Sequence, residues 1–280
     1  MQSNEEIIIE GNHRWFDLKL KEFWEYRDLV LLFVKRNYST RYKQTILGPA
    51  WLIISPLFTI LSYTIVFGGI AGLSTDGIPK PIFYLAGNIL WTFFASNVSA
   101  TSNTFLANAG IFGKIYFPRL ISPVSTVLTN LLDFFVQFVM LVLLMLLYWV
   151  NGTKFSINGA VILMPLLLLE LGLLGMGIGI LISSLTTKYR DLTVLVGFGL
   201  NIWMYASPVI YSISLVPENY LDLFMLNPVT PIIITFKYAF FGIGSIPYEH
   251  LAISWVVTLF VTLFGIIVFN KVERTFLDTV

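Results

Sequence analysis

Asp133 and Glu170 are the residues of this chain whose type and placement most suggest chemistry, because each carboxyl lies well inside a long apolar run. An ionised group at membrane depth is costly unless it faces protein, water or a partner, so each acid is a functional candidate. Two uses are open: a proton relay in an ion-coupled carrier, or hydrogen bonding between helices or subunits. Two isolated acids on separate runs favour the second, since a relay usually needs a chain of titratable groups. Other chemistry is sparse. There is no cysteine, which excludes disulfides and thiolate catalysis, and His13 and His250 stand far apart near segment ends, which gives a metal site little support. Asp76, Glu218, Asp222, Glu249 and His250 are scattered along the chain, which disfavours a membrane-embedded transferase. Gly113-Lys114 has the look of a phosphate loop. A Walker A motif, however, needs a glycine where Asn108 stands and Ser or Thr where Ile115 stands, so the chain has no visible means of binding ATP.

The elements that must position these residues are membrane helices. The chain is 56% hydrophobic and 12% charged, with mean hydropathy +0.80, too apolar for a soluble domain of 280 residues. Its net charge of +1 argues against a nucleic-acid partner. Six apolar runs, 49–70, 82–106, 121–150, 159–183, 192–213 and 250–270, each reach the length that crosses a hydrocarbon core. Of the 17 Lys and Arg, all but Lys80, Lys154 and Lys237 fall in segments that six spans would place on one side, which predicts both termini in the cytoplasm. The first 30 or so residues lack an apolar core of the signal-peptide kind, so no cleavable leader is expected.

The expected fold is therefore an all-α membrane protein in three parts: a cytoplasmic N-terminal segment over 1–48, a six-helix transmembrane domain over 49–270, and a cytoplasmic tail over 271–280. Between Arg14 and Val30, Phe16, Leu20, Phe23 and Trp24 share one helical face and Asp17, Lys21, Glu25 and Asp28 another, which predicts an amphipathic helix lying at the membrane interface. Between Ser212 and Glu249, Pro217, Pro228, Pro231, Gly242, Gly244 and Pro247 cut a moderately apolar stretch into pieces too short to span. Re-entrant half-helices before the last span fit it best, over a loop lying flat on lipid. Gly172, Gly175, Gly177 and Gly179 predict close helix packing. The aromatic-rich connection from Ala107 to Arg119, with Lys114 and Arg119, reads as a docking element or as a tight turn shielded by the N-terminal helix.

Arg41-Tyr-Lys-Gln-Thr-Ile-Leu-Gly-Pro-Ala-Trp51 leading to Ser55-Pro56, then Trp91-Thr-Phe-Phe94, Asn108 with Lys114-Ile-Tyr-Phe-Pro-Arg119, Tyr189-Arg-Asp191, Ser207-Pro208 and Leu226-Asn-Pro228 run in order along almost the whole chain. Together they resemble the permease of the ABC-2 type transporters that export polysaccharide, the family that moves O-antigen, capsule or teichoic acid. The resemblance implies a homodimer in the bacterial cytoplasmic (inner) membrane. It further implies two copies of a separate ABC ATPase that hold the ATP and Mg²⁺, a lipid-linked glycan as cargo, and no cofactor or enzymatic activity in this chain. It also implies that Asn108, Lys114, Tyr116, Phe117, Pro118 and Arg119 couple to the ATPase, and that Arg41, Tyr42, Leu47 and Gly48 stand near the cytoplasmic entrance. Trp91, Phe93, Phe94, Trp203, Tyr205 and Tyr211 are the candidate pore aromatics, with Trp91 to Phe94 expected near the outer end of the second span. An exporter of small amphiphiles and a carrier using Asp133 and Glu170 remain the alternatives.

Overall fold

The computed structural model describes residues 20–43, 45–186, 189 and 191–279, with the side chains of 20, 21 and 273–279 left aside. Part of the predicted amphipathic helix and the segment 1–19 lie outside the described residues. Eleven α-helices follow: α1 Leu20–Glu25, α2 Arg27–Tyr42, α3 Trp51–Tyr63, α4 Lys80–Thr101, α5 Thr104–Phe112, α6 Ile121–Val150, α7 Met164–Thr186, α8 Leu192–Tyr205, α9 Glu218–Met225, α10 Val229–Phe241 and α11 Tyr248–Thr279. No strand occurs among the described residues. Among the described residues, four helical stretches are long and apolar enough to cross a membrane: Gly48–Ile70, which contains α3, then Ile121–Val150, Gly159–Thr186 and Tyr248–Val272. The chain is thus a multi-pass membrane protein.

The other two expected spans depart from the hydropathy reading. The second ends at Thr101, short of 106. Beyond it Ser102 Oγ and Asn103 Nδ2 donate to the Ser99 carbonyl and Thr104 Oγ1 to the Thr101 carbonyl, local bonds that compete with helix continuation. α4 is nevertheless the centre of the bundle, packed by α3, α6, α7, α8 and α10. Ile82, Phe83, Tyr84, Leu85 and Ala86 are fully buried on it. Because its neighbours shield it, α4 can carry Asn88, Thr92, Ser96 and Asn97, which a lipid-facing helix could not. The fifth expected span also stops early. α8 has 14 residues, a rise of about 21 Å, and ends three residues before Pro208, as the restriction on residues preceding proline demands.

The small residues of α7 do what their spacing predicts. A methyl group on Gly179 would stand 1.8 Å from Thr101 Oγ1 of α4, and one on Gly177 2.8 Å from the Thr262 backbone of α11. Glycine thus lets α7 sit in close contact with both neighbours. Thr262 Oγ1 adds a bond to the Leu173 carbonyl at 3.0 Å.

The proline-rich interval folds as a bent pair, α9 and α10, turning 101° at the break before Pro228. Asn227 ties that break to the end of α8. Its Oδ1 accepts from Val229 N and Trp203 Nε1, and its Nδ2 donates to the Ala206 carbonyl and Ser207 Oγ. α10 is buried along its length and closes on Gly242, whose left-handed φ of 72° suits a residue without Cβ. Lys237 inside it donates to the Pro208 carbonyl at 2.8 Å and lies 3.6 Å from the Phe83 ring centroid. Protein, not lipid, covers this segment, which is the condition for irregular backbone at membrane depth.

Glu170 of α7 is fully buried beside the same break. Ser254 Oγ of α11 lies 2.5 Å from its Oε1 and 2.8 Å from the Pro228 carbonyl. A hydroxyl has one proton, so both contacts are hydrogen bonds when the carboxyl supplies the second. Glu170→Gln is therefore expected to melt close to the parent protein, because the amide donates to Ser254 in the carboxyl's place. Ser254→Ala strips the buried carboxyl of this partner and should cost roughly 1–3 kcal/mol, read as a lower melting midpoint in detergent. A Glu170→Gln midpoint as low as that of Ser254→Ala would show that the carboxyl does not act as the donor to Ser254.

Candidate functional site

Helix α2 carries two arginines that join separate parts of the bundle. Arg36 Nη2 donates to Asn108 Oδ1 on α5 at 3.0 Å, and Asn108 Nδ2 donates in turn to the Thr104 carbonyl and to Ser122 Oγ on α6. The Arg36 guanidinium lies 4.1 Å from the Phe33 ring centroid. Phe33 meets Phe117 edge-on, Phe117 meets Phe112, and the Arg119 guanidinium covers Phe112. The connection from Ala107 to Arg119 is therefore a small aromatic core closed by α2, through Phe33 and Arg36, which lie beyond the 14–30 helix that sequence reading expected to shield this turn. Of the expected coupling residues, Asn108, Phe117, Pro118 and Arg119 are buried in it, while Lys114 and Tyr116 face outward. Ile115, which sequence reading did not single out, is 64% exposed between them.

Arg41, five residues beyond Arg36, turns into the bundle. Its Nη1 is paired with Asp133 on α6 and its Nη2 donates to Asn130 Oδ1 at 3.0 Å. Tyr42 Oη donates to Asp133 Oδ1 at 3.3 Å. Burial, and then the neighbouring carboxylate, push the Tyr42 phenol up to about 12, so it stays a donor. Asn130 Nδ2 passes the network on to Asn97 Oδ1 of α4 at 2.8 Å. Asp133 is thereby one half of an ion pair, and Glu170 belongs to a separate junction. The described residues show no relay between the two acids. Of the other expected entrance residues, Leu47 is exposed, and Gly48 opens the helical stretch that leads into α3.

A cavity of about 250 Å³ opens behind the Arg41–Asp133 pair, between α3, α4 and α6. Each helix gives it a polar stripe: Ser55 and Thr59 from α3, Asn88, Thr92 and Ser96 from α4, and Asn130, Asp133 and Gln137 from α6. The sequence carried the signal, since these residues recur every three or four positions along otherwise apolar helices. Counting charges alone passes over it.

The candidate pore aromatics separate into two groups. Trp91, Phe93 and Phe94 lie in the middle of α4 and not near its end, all buried in the core of the chain. Phe94 stacks edge-on against Trp203 with ring centroids 5.1 Å apart, and Trp203 is bonded to Asn227. Only Phe93 of these reaches the cavity wall. Tyr205 is 56% exposed, and Tyr211 Oη donates to its carbonyl at 3.0 Å.

Residues 28–241 match the family described as ABC-2 type transporter. The chain is 27% identical over 252 residues, covering 90% of this chain and 94% of the other, to the O-antigen export system permease protein RfbA of Klebsiella pneumoniae. It is 25% identical over 235 residues, covering 81% and 88%, to the polysialic acid transport protein KpsM of Escherichia coli. Over 231 residues it is 24% identical to the inner membrane transport permease YadH of Escherichia coli (strain K12), covering 79% and 87%. The family match runs from α2 to the end of α10, taking in the shielded connection, the paired Arg41 and the bent helix pair, and the chain belongs to the ABC-2 type transporter family.

Proposed function

We propose that this chain is the permease subunit of an exporter that carries a lipid-linked polysaccharide (an O-antigen, capsule or teichoic acid chain) out across the bacterial cytoplasmic membrane. The observation that carries this reading is that relatives named for O-antigen export and for polysialic acid transport align over at least 81% of the chain. Energy comes from ATP hydrolysed on a separate subunit, as ABC-2 permeases work with ATPase partners. Two permeases pair with two ATPases, both termini lie in the cytoplasm where the basic segments gather, and Arg41 stands at the inner entrance. Tyr205 and Tyr211, with Phe93 at the cavity wall, are the candidate aromatics for meeting a passing chain. The ion-coupled alternative loses support from the structure, because Asp133 is committed to Arg41 and Glu170 to Ser254.

Docking to the ATPase falls on Lys114, Ile115 and Tyr116, the exposed large side chains of this connection, with Tyr116 Oη also donating to Glu22 of α1. The purified permease alone should not hydrolyse ATP, whereas its complex with the ATPase subunit should. Lys114→Glu combined with Ile115→Asp is expected to lower co-purification of the two subunits several-fold with the permease fold intact. Unchanged co-purification and transport in that variant would remove the docking role from these residues.

Reversing one charge of the entrance pair, Arg41→Asp or Asp133→Arg, leaves two like charges facing each other in a half-buried site. Each single variant is expected to reduce surface polysaccharide at least tenfold, and the double swap to restore part of it. Equal export by parent and single variants would show that the pair does not shape the entrance.

A further inference from the structure

We propose that the cavity between α3, α4 and α6 is a binding site for one neutral pyranose ring of the exported chain, held near the inner end of its path. The proposal rests on the polysaccharide reading and names the surface of the permease that touches the cargo.

Two amides make the cavity a built site. Gln137 is 5% exposed, lines the cavity, and its Oε1 has no hydrogen-bond partner. Asn88, 7% exposed, lines the same space from α4. A buried carbonyl oxygen without a donor is costly, and a ligand hydroxyl donating to it recovers that cost. Each amide also offers N–H donors beside its acceptor, so the pair can both accept from and donate to adjacent hydroxyls of one ring.

Charge decides what kind of ligand fits. The charged side chains that line the cavity are Arg41 and Asp133, and they are paired with each other. A phosphate or carboxylate would find the guanidinium engaged, and an ammonium group would find the carboxylate engaged. Every other polar side chain of the lining is an amide, a hydroxyl or the neutral Trp51 indole. A neutral polyol meets all of them without separating the ion pair.

Shape agrees. Trp51, Phe93 and Phe134 supply flat apolar wall on which the C–H face of a pyranose can lie. The volume, about 250 Å³, falls below the roughly 300–1,000 Å³ of pockets for drug-sized ligands, which suits one ring.

The test uses the permease–ATPase complex in nanodiscs, titrated with free glucose, galactose, mannose and N-acetylglucosamine while tryptophan emission is followed against a Trp51→Phe control. At least one sugar should give a saturable change that the control lacks. Gln137→Leu and Asn88→Leu should each weaken that binding tenfold or more while complex yield and melting midpoint hold. Should either variant fail to assemble, Thr92→Val carries the same test from the same wall. Absence of saturation with every sugar, equal binding by the Leu variants, or saturation with inorganic phosphate in place of sugar would overturn the assignment. Surface polysaccharide separates this proposal from the reading beneath it. Loss of the polymer on gene deletion, together with full export by Gln137→Leu, would overturn the sugar site alone. Unchanged polymer on gene deletion would overturn the polysaccharide reading itself.

Discussion

A helix with amides and hydroxyls along its length can lie at membrane depth only while other helices keep lipid away from it, and α4 is that helix. Asn88, Thr92, Ser96 and Asn97 would be unsatisfied in hydrocarbon. The surrounding architecture follows from covering them. α7 comes close enough because glycine stands where a methyl group would collide with Thr101 or with the Phe94 carbonyl. α6 turns its own polar stripe toward α4 and joins it through Asn130 and Asn97. α10 seals the far end, with Lys237 laid over Phe83 and bonded to the Pro208 carbonyl.

The bent pair depends on the same economy of polar groups. At the 101° break Ser254 takes up the Pro228 carbonyl and Asn227 the Ala206 carbonyl, while Ser207 bonds the Asn227 side chain. Three separate parts of the chain therefore meet at Pro228: the end of α8, the middle of α7 through Glu170, and the first turns of α11 through Ser254. The break is a junction held by side chains, and its angle is not a property of the proline alone.

α2 gives the opposite end its organisation. Arg36 clasps the connection after α4, Arg41 clasps α6, and both belong to one helix of 16 residues. The loop proposed to meet the ATPase and the mouth of the polar cavity are thus fastened to the same element. The sugar site lies immediately behind that mouth.

Much of this was legible in the order of residues, because hydropathy, small-residue spacing and proline placement are local properties. An all-helical membrane chain, the glycines of α7 as packing surfaces, and a broken segment between Ser212 and Glu249 all follow from which residue types recur at which interval. The family, too, was legible from short motifs spread along the chain. The ends of α4 and α8 were not, since a hydropathy window averages over the Ser, Thr and Asn side chains whose local bonds stop the first and over Ser207-Pro208, which stops the second. Nor could the sequence place Trp91 and Phe94 inside the bundle and Tyr205 at its surface, because aromatic character is the same on either side of a helix. A 3.6-residue period says that Asn130, Asp133 and Gln137 share a face; only the packing of α3 and α4 against that face decided that it encloses a cavity, and that Gln137 enters it without a partner.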